Sequence, residues 1–183
     1  QDGYLARAVL RLRDKLGLKT VIETGTFEGV TTAWFADHFE RVKSVEILER
    51  FYLPTKERLG IRLNLELRLA DSVPTLYLWL CQNPNERTLV FLDAHWMENP
   101  LRGELAAIAV SEAKPVLLIH DFQVPNHPEL GFDTYPDQGI VYDFAYVEAH
   151  LHLIYGADYR AFYNEKATGS QRGCLFVVPV VNP

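Results

Sequence analysis

The stretch Val21-Ile22-Glu23-Thr24-Gly25-Thr26-Phe27-Glu28-Gly29-Val30-Thr31-Thr32 decides how the chain is read. The run Thr20 to Ile22 is β-branched and reads as a strand, and Thr31 to Phe39, carrying Trp34, Phe35 and Phe39, reads as a helix. Two glycines fill the turn between them. In an open α/β sheet such a turn lies at the switch point, where ligands bind at the carboxyl ends of the strands. Gly25 and Gly29 let backbone approach a ligand closely there. The spacing is G-x-x-x-G, and Phe27 stands where the dinucleotide fingerprint G-x-G-x-x-G needs its middle glycine. A pyrophosphate would meet a large side chain. A Walker phosphate loop is excluded too, because no Gly-Lys-Ser/Thr follows.

Working outward, short β-rich runs alternate with helical patterns throughout, which predicts an α/β fold, a parallel sheet covered by helices. Leu5, Val9, Leu12 and Leu16 form one helical stripe in an N-terminal segment 1–19, and Gly17 ends that helix. Val42 to Ile47 is the second strand, and a helix covers Leu53 to Leu59, with Pro54 tolerated only in its first turn. Leu63 to Leu69 alternates polar and apolar residues, as a strand near the sheet edge does. Val73 to Leu80 is a helix with Pro74 at its start, and Thr88 to Leu92 a central strand. Leu101 to Ala113 is a helix, and Val116 to Ile119 another central strand. The pattern then fails from Gln123 to Gly139, 17 residues with three prolines and two glycines. A loop of that length is more often functional than structural. A helix from Ile140 to His152 follows. Tyr159 to Lys166 and Cys174 to Val180 are strands whose connection, Ala167 to Gly173, is too short for a parallel crossover, so they pair antiparallel.

At 183 residues the chain fits one domain, 1–183. Its 48% hydrophobic and 12% aromatic residues supply a core without staples and exclude disorder over most of its length. Acidic residues outnumber basic ones 24 to 18, for a net charge of −6, and no lysine or arginine run is present. Nucleic acid is therefore not the expected partner. No apolar stretch approaches the roughly 18 residues of a membrane span, so no membrane is expected either. Cys81 and Cys174 read as ordinary buried thiols in a reducing compartment, which points to the cytoplasm. The chain starts at Gln1 with neither an initiator Met nor a charged-then-apolar leader, which is compatible with loss of an upstream segment.

Chemistry-bearing residues collect at the expected strand ends. Glu46 ends the second strand 21 residues after Gly25, about where an acidic side chain accepts hydrogen bonds from ribose hydroxyls. Asp71 and Ser72 end the third strand and could meet an adenine edge, or serve simply as a helix N-cap. Asp93, His95 and Trp96 end the fourth, and His120 with Asp121 ends the fifth. Four ionisable groups at adjacent central strand ends converge on one cleft, which a purely structural account does not require.

Through E-x-G-x-x-x-G at Glu23 to Gly29, acidic Glu46, Asp71, and Asp93 at the fourth strand, the chain resembles a class I S-adenosylmethionine-dependent methyltransferase. The resemblance runs from about Thr20 to Val180. It implies a Rossmann-like sheet of seven strands in the order 3-2-1-4-5-7-6 with the last antiparallel. It also implies a cofactor site at Glu23, Gly25, Thr26, Gly29, Glu46, Asp71, Ser72 and Asp93, with the methionine moiety near Glu23 and Gly25. Within that family the chain is most similar to small-molecule O-methyltransferases, including those of sugars and macrolides, whose divalent metal is held by carboxylates at the fourth and fifth strand ends. Asp93 and Asp121 match that pattern. Where such enzymes carry a further Asp or Asn beside the fifth-strand Asp, this sequence has His120 before it and Phe122 after it.

Two readings of the cluster stay open. Asp93, Asp121 and His120 hold a metal, for which a mixed carboxylate and imidazole set suits Mn²⁺, Fe²⁺ or Zn²⁺ better than Mg²⁺, or His95 or His120 acts as a general base beside Asp93. The expected reaction is methyl transfer from S-adenosylmethionine to a hydroxyl of a small molecule such as a sugar or natural product. A nucleoside-binding module without chemistry and aminopropyl transfer are the alternatives. Gln123 to Gly139 is expected to be a substrate lid, with Phe132 and Tyr135 as apolar walls and His127 or Asp133 as polar contacts. With one helix before the first strand, such loop residues or the partner subunit of a homo-oligomer must complete the substrate cap.

Overall fold

The structure, a computed structural model, describes residues 2–95 and 99–180. Its centre is a seven-stranded sheet with strands β1 (Thr20–Thr24), β2 (Arg41–Glu46), β3 (Leu65–Leu69), β4 (Thr88–Leu92), β5 (Val116–His120), β8 (Tyr159–Tyr163) and β9 (Cys174–Pro179). The order is β3-β2-β1-β4-β5-β9-β8. All pairs from β3 to β5 are parallel, while β9 runs antiparallel to both β5 and β8. This is the expected 3-2-1-4-5-7-6 order, the two extra numbers coming from short strands β6 (Thr134–Tyr135) and β7 (Ile140–Val141), which pair with each other outside the main sheet.

Period-two alternation sorts the core into two layers. Leu89, Phe91, Val116, Leu118, Cys174 and Phe176 pack with Val9 of α1 (Gly3–Leu16) and Phe35 of α2 (Val30–His38). Val90, Leu92, Leu117, Ile119, Leu175 and Val177 face the other way. They meet Leu76 and Trp79 of α4 (Ser72–Gln82), Leu105 and Ile108 of α5 (Leu101–Val110), and Val147 and Leu151 of α6 (Phe144–Tyr155). β1, β4 and most of β5 are therefore buried on both faces, as near-continuous apolar runs demand. The same parity aims residues just past a strand end toward one helical layer or the other, which matters for the site.

Several boundaries differ from expectation for local reasons. α3 spans Glu49–Leu59 rather than starting at Leu53, because the amides of Phe51 and Tyr52 already bond to the Leu48 carbonyl, and Pro54 falls in its second turn. α6 starts at Phe144, four residues after Ile140: Ile140 and Val141 are claimed by β6, and Asp143 caps the helix by accepting from the Tyr146 amide at 2.9 Å. α5 ends at Val110, just before Glu112, whose backbone is left-handed with φ 61°. Trp96 lies outside the described residues. No helix among the described residues is long and apolar enough to cross a membrane.

Candidate functional site

The turn after β1 is built around two glycines, both with positive φ. Gly25 has φ +80°, and a Cβ there would lie 2.5 Å from the Asp93 carbonyl oxygen and 2.8 Å from Ala94 Cα. β1 and the segment leaving β4 thus touch backbone to backbone. Gly29 has φ +62°, with Thr55 Cγ2 2.6 Å from where its Cβ would be. Between them Phe27 adopts a left-handed φ of 48° and packs edge-on against Phe51 with centroids 4.7 Å apart. Its amide donates to Glu46 Oε2 at 2.8 Å, and the other Glu46 oxygen accepts from the Leu48 amide at 2.9 Å. The carboxylate expected at the end of β2 is there, buried, and braces the glycine turn.

Glu23 lies beneath that turn rather than on its open side. It is 1% exposed and accepts from the Thr32 hydroxyl and from Ser44 Oγ at 2.6 Å, while Thr26 and Ser44 share a 2.7 Å hydroxyl contact. Burial pushes its carboxyl up to about 8, against the pull of the Ser44 and Thr32 hydroxyls. In the folded chain the acid is therefore neutral over a range in which the unfolded chain ionises it. The stability this gives is complete below about pH 4.5 and is lost as pH rises through about 8. Glu23→Gln, which cannot ionise, is expected to match the wild type near pH 4.5. By pH 8.5 it should be the more stable protein, by on the order of 5 kcal/mol at most. Denaturant unfolding across that range reads the difference, and parallel stability profiles would mean that Glu23 ionises as a surface carboxylate does.

At the end of β3, Asp71 accepts from the Val73 amide at 2.8 Å and caps α4, and Ser72 is buried. The cap role is realised, and both residues remain at the strand end where an adenine edge was expected.

The ends of β4 and β5 bring Asp93, His95, His120 and Asp121 together. His120 Nδ1 lies 3.1 Å from Asp93 Oδ1 and 3.2 Å from Asp121 Oδ1, and His95 Nε2 lies 3.7 and 3.5 Å from the same two carboxylates. Two carboxylates at one point need positive charge beside them. Burial opposes a charged His120, but the Asp93 and Asp121 carboxylates beside it hold it well above its ordinary value. Burial likewise opposes an ionised Asp121, yet the partners His120, His95 and Arg172 keep it well below the usual carboxylate range.

Arg172 is the cation that strand-end reasoning missed. It sits in the β8–β9 connection, and its guanidinium bonds Asp121 with one nitrogen and Asp133, from the long connection after β5, with another. Backbone bonds follow the same path: Gly131 donates to Gln171, Gly173 to Gly131, and Asp133 to Asp121, each at 2.8 Å. The segment 123–139 is thus stitched to its neighbours at its middle. Tyr135 donates to the His95 carbonyl, whereas half-buried His127 pairs with Glu129 at 2.8 Å.

A metal fits part of this set. Asp93, His95 and Asp121 offer one ligand atom each within 4.8 Å of one another. His95 is 2% exposed, and neither ring nitrogen has a hydrogen-bond partner. The geometry that could hold an ion thus brings His95 to the two carboxylates, while His120, named with them from the sequence, lies between Asp93 and Asp121. On the other side of the cluster, Asp93 and His120 close one end of a cavity of about 180 Å³ walled by Leu5, Val9, Trp34 and Phe91, with Thr31 at its rim.

No protein-family model matches the sequence, and no curated protein matches it. Solved structures do match the fold. An O-methyltransferase from Bacillus cereus in complex with SAH shares 19% identity at a TM-score of 0.63, over 97% of this chain and 81% of that one. The O-methyltransferase TomG from Streptomyces achromogenes, involved in tomaymycin synthesis and solved with SAM, shares 19% at 0.60, over 98% and 79%. A precorrin 8w decarboxylase from Methanobacterium thermoautotrophicum shares 14% at 0.58, over 98% and 90%. At these identities the likeness is one of fold.

Proposed function

We propose, from a chain with the class I methyltransferase fold, that it binds S-adenosylmethionine across the ends of β1 to β4 and transfers the methyl group to a hydroxyl of a small molecule. One observation carries this: the Gly25 turn abuts the backbone of Asp93, so a ligand seated on the turn meets the Asp93, His95, His120 and Asp121 cluster directly. Methyl transfer from a sulfonium is an in-line displacement that needs alignment and, for a hydroxyl, removal of a proton. The fold supplies both in one place. The sugar or natural-product character of the acceptor rests on the resemblance to small-molecule O-methyltransferases, and the acidic, run-free charge pattern favours such an acceptor over nucleic acid.

In this reading Glu46 turns its two oxygens, already shared by Phe27 and Leu48, toward the ribose, and Asp71 with Ser72 flanks the adenine. The cavity beside Asp93 takes the amino-acid end, its ammonium against the Asp93 carboxylate and its carboxylate near Thr31 and the α2 N-terminus. Asp93 also faces the acceptor hydroxyl and receives its proton, while His120 and Arg172 balance the paired carboxylates. Asp93, His95 and Asp121 would hold a divalent metal, which supplies acidification of the bound hydroxyl.

Calorimetry with S-adenosylhomocysteine tests the cofactor. Glu46→Gln keeps the side chain's shape but loses the charge, and hydrogen bonds to a charged group contribute about 1.5 to 3 kcal/mol each. A tenfold or larger drop in affinity is expected, and unchanged affinity would remove Glu46 from the site. Exhaustive chelation is expected to lower turnover of a hydroxylated acceptor at least tenfold, with recovery on adding Mn²⁺. Intact turnover after chelation assigns hydroxyl activation to Asp93 and its histidine neighbours alone. Cofactor binding with no release of S-adenosylhomocysteine across an acceptor panel would favour the non-catalytic reading.

A further inference from the structure

The sheet has an open edge at β3, which pairs with β2 on one side and with no other strand among the described residues. In its register against β2, Val42 donates to the Asn64 carbonyl and Ala70 to the Glu46 carbonyl, so Asn64, Glu66, Arg68 and Ala70 turn their backbone groups inward. Those of Leu65, Leu67 and Leu69 therefore point outward. The Leu65 amide is taken by the Arg62 carbonyl at 3.2 Å, and the Tyr52 hydroxyl stands 3.5 Å from the Leu67 oxygen, which keeps a second lone pair. What is left is a row of groups that fits another strand, and folded proteins usually cover or block such a row.

The side chains select what covers it. The strand reads Leu65-Glu66-Leu67-Arg68-Leu69, so its charge reverses about its centre. We infer that β3 pairs with β3 of a second copy of this chain, antiparallel and with the two-fold axis at Leu67, joining two sheets into one. Leu65 then faces the partner's Leu69, and Glu66 faces the partner's Arg68. The outward groups fall where this register needs them: the two Leu67 residues exchange N–H···O bonds, and each Leu69 amide donates to the partner's Leu65 carbonyl. Glu66 and Arg68 project from one face, bonded to each other at 2.6 Å and still 39% and 41% exposed, so the pairing closes them into a ring of four alternating charges. Slipping by two residues sets Glu66 against the partner's Glu66, or Arg68 against the partner's Arg68, and is disfavoured. Just before the strand, Ile61 and Leu63 are fully exposed, and the two-fold axis puts one such apolar pair at each end of the interface. The opposite edge, β8, lacks this symmetry: about its centre, Ala161, an arginine (Arg160) would face a phenylalanine (Phe162).

Analytical ultracentrifugation tests this, independently of any cofactor. The wild type is expected to sediment as a reversible dimer. Glu66→Arg and Arg68→Glu each set like charges opposite one another and should weaken the dimer about tenfold or more. Each also loses the bond within its own strand, so the deciding sample is an equimolar mixture of the two. There a strand with two arginines meets a strand with two glutamates, and a heterodimer forms although neither chain has regained its internal pair. A role confined to the internal pair predicts no recovery on mixing. Leu67→Pro removes an amide that points away from β2, so it should give a folded monomer, with Leu67→Lys as a second blocking variant should the proline protein not fold. Circular dichroism confirms the fold of each. The inference is overturned if the wild type is monomeric up to about 1 mM, if the mixed charge variants form no heterodimer, or if the blocking variant dimerises as the wild type does, which would place the interface elsewhere.

Discussion

Asp93→Asn is expected to lower the rate of the proposed methyl transfer by about 10²- to 10⁴-fold, the range that a positioned proton acceptor contributes. Asp93 is the carboxylate of the cluster that both lines the cavity and is left by Arg172, which is committed to Asp121 and Asp133. Asparagine preserves its size but takes no proton from a hydroxyl. In the proposed placement it also removes a charge from beside the cofactor's ammonium, so affinity for S-adenosylhomocysteine is expected to fall as well, by about tenfold, as loss of one charge-assisted bond implies. The backbone role of the residue survives, because its amide still donates to Thr24. Release of S-adenosylhomocysteine at saturating cofactor separates the two effects. A rate within tenfold of wild type would take Asp93 out of the chemistry and leave the proton to another group.

The largest destabilisation is expected from one methyl group. Gly25→Ala places a Cβ 2.5 Å from the Asp93 carbonyl oxygen, in a backbone conformation with φ +80° that alanine rarely adopts. Neither obstacle is a flexible side-chain tip: the atoms in the way are backbone of the segment leaving β4. Strain of this kind costs about 1 to 3 kcal/mol and forced overpacking about as much again, so a loss of about 3 kcal/mol is the expected net after relaxation. For a chain of this size that is a fall of roughly 6 to 12 °C in Tm. Relaxation moves Asp93 away from the turn, so cofactor binding should go with it. Thermal unfolding and calorimetry on one preparation check both, and a variant with wild-type Tm would mean that β1 and β4 do not touch there.

The layered sheet was legible because its signals are local. Runs such as Val116 to Ile119 are apolar on every residue, and the G-x-x-x-G spacing fixes where the first strand stops. The gathering of Asp93, His95, His120 and Asp121 followed from strand adjacency alone. What escaped depends on contacts between residues distant in sequence. Arg172 lies 51 residues after its partner Asp121, in a connection that reads as a plain turn. Ile140 and Val141 look like the start of a helix until Thr134 and Tyr135 pair with them. That His95, rather than His120, completes the candidate metal set depends on side-chain direction, which strand position does not fix.

The stitching of Gly131 and Asp133 between Asp121 and the β8–β9 connection sets how this part of the molecule opens. Its amides are bonded like those of a sheet, to Gln171 and Asp121, and Gly173 returns a bond to Gly131. Amide exchange at Gly131, Asp133 and Gly173 is therefore coupled, governed by one cooperative opening that frees the long connection and the hairpin turn together. That opening breaks the Arg172 fork at the same moment. The segment is hydrogen-bonded as a small extension of the sheet, so its opening is expected to be a local unfolding rather than the swing of a free flap.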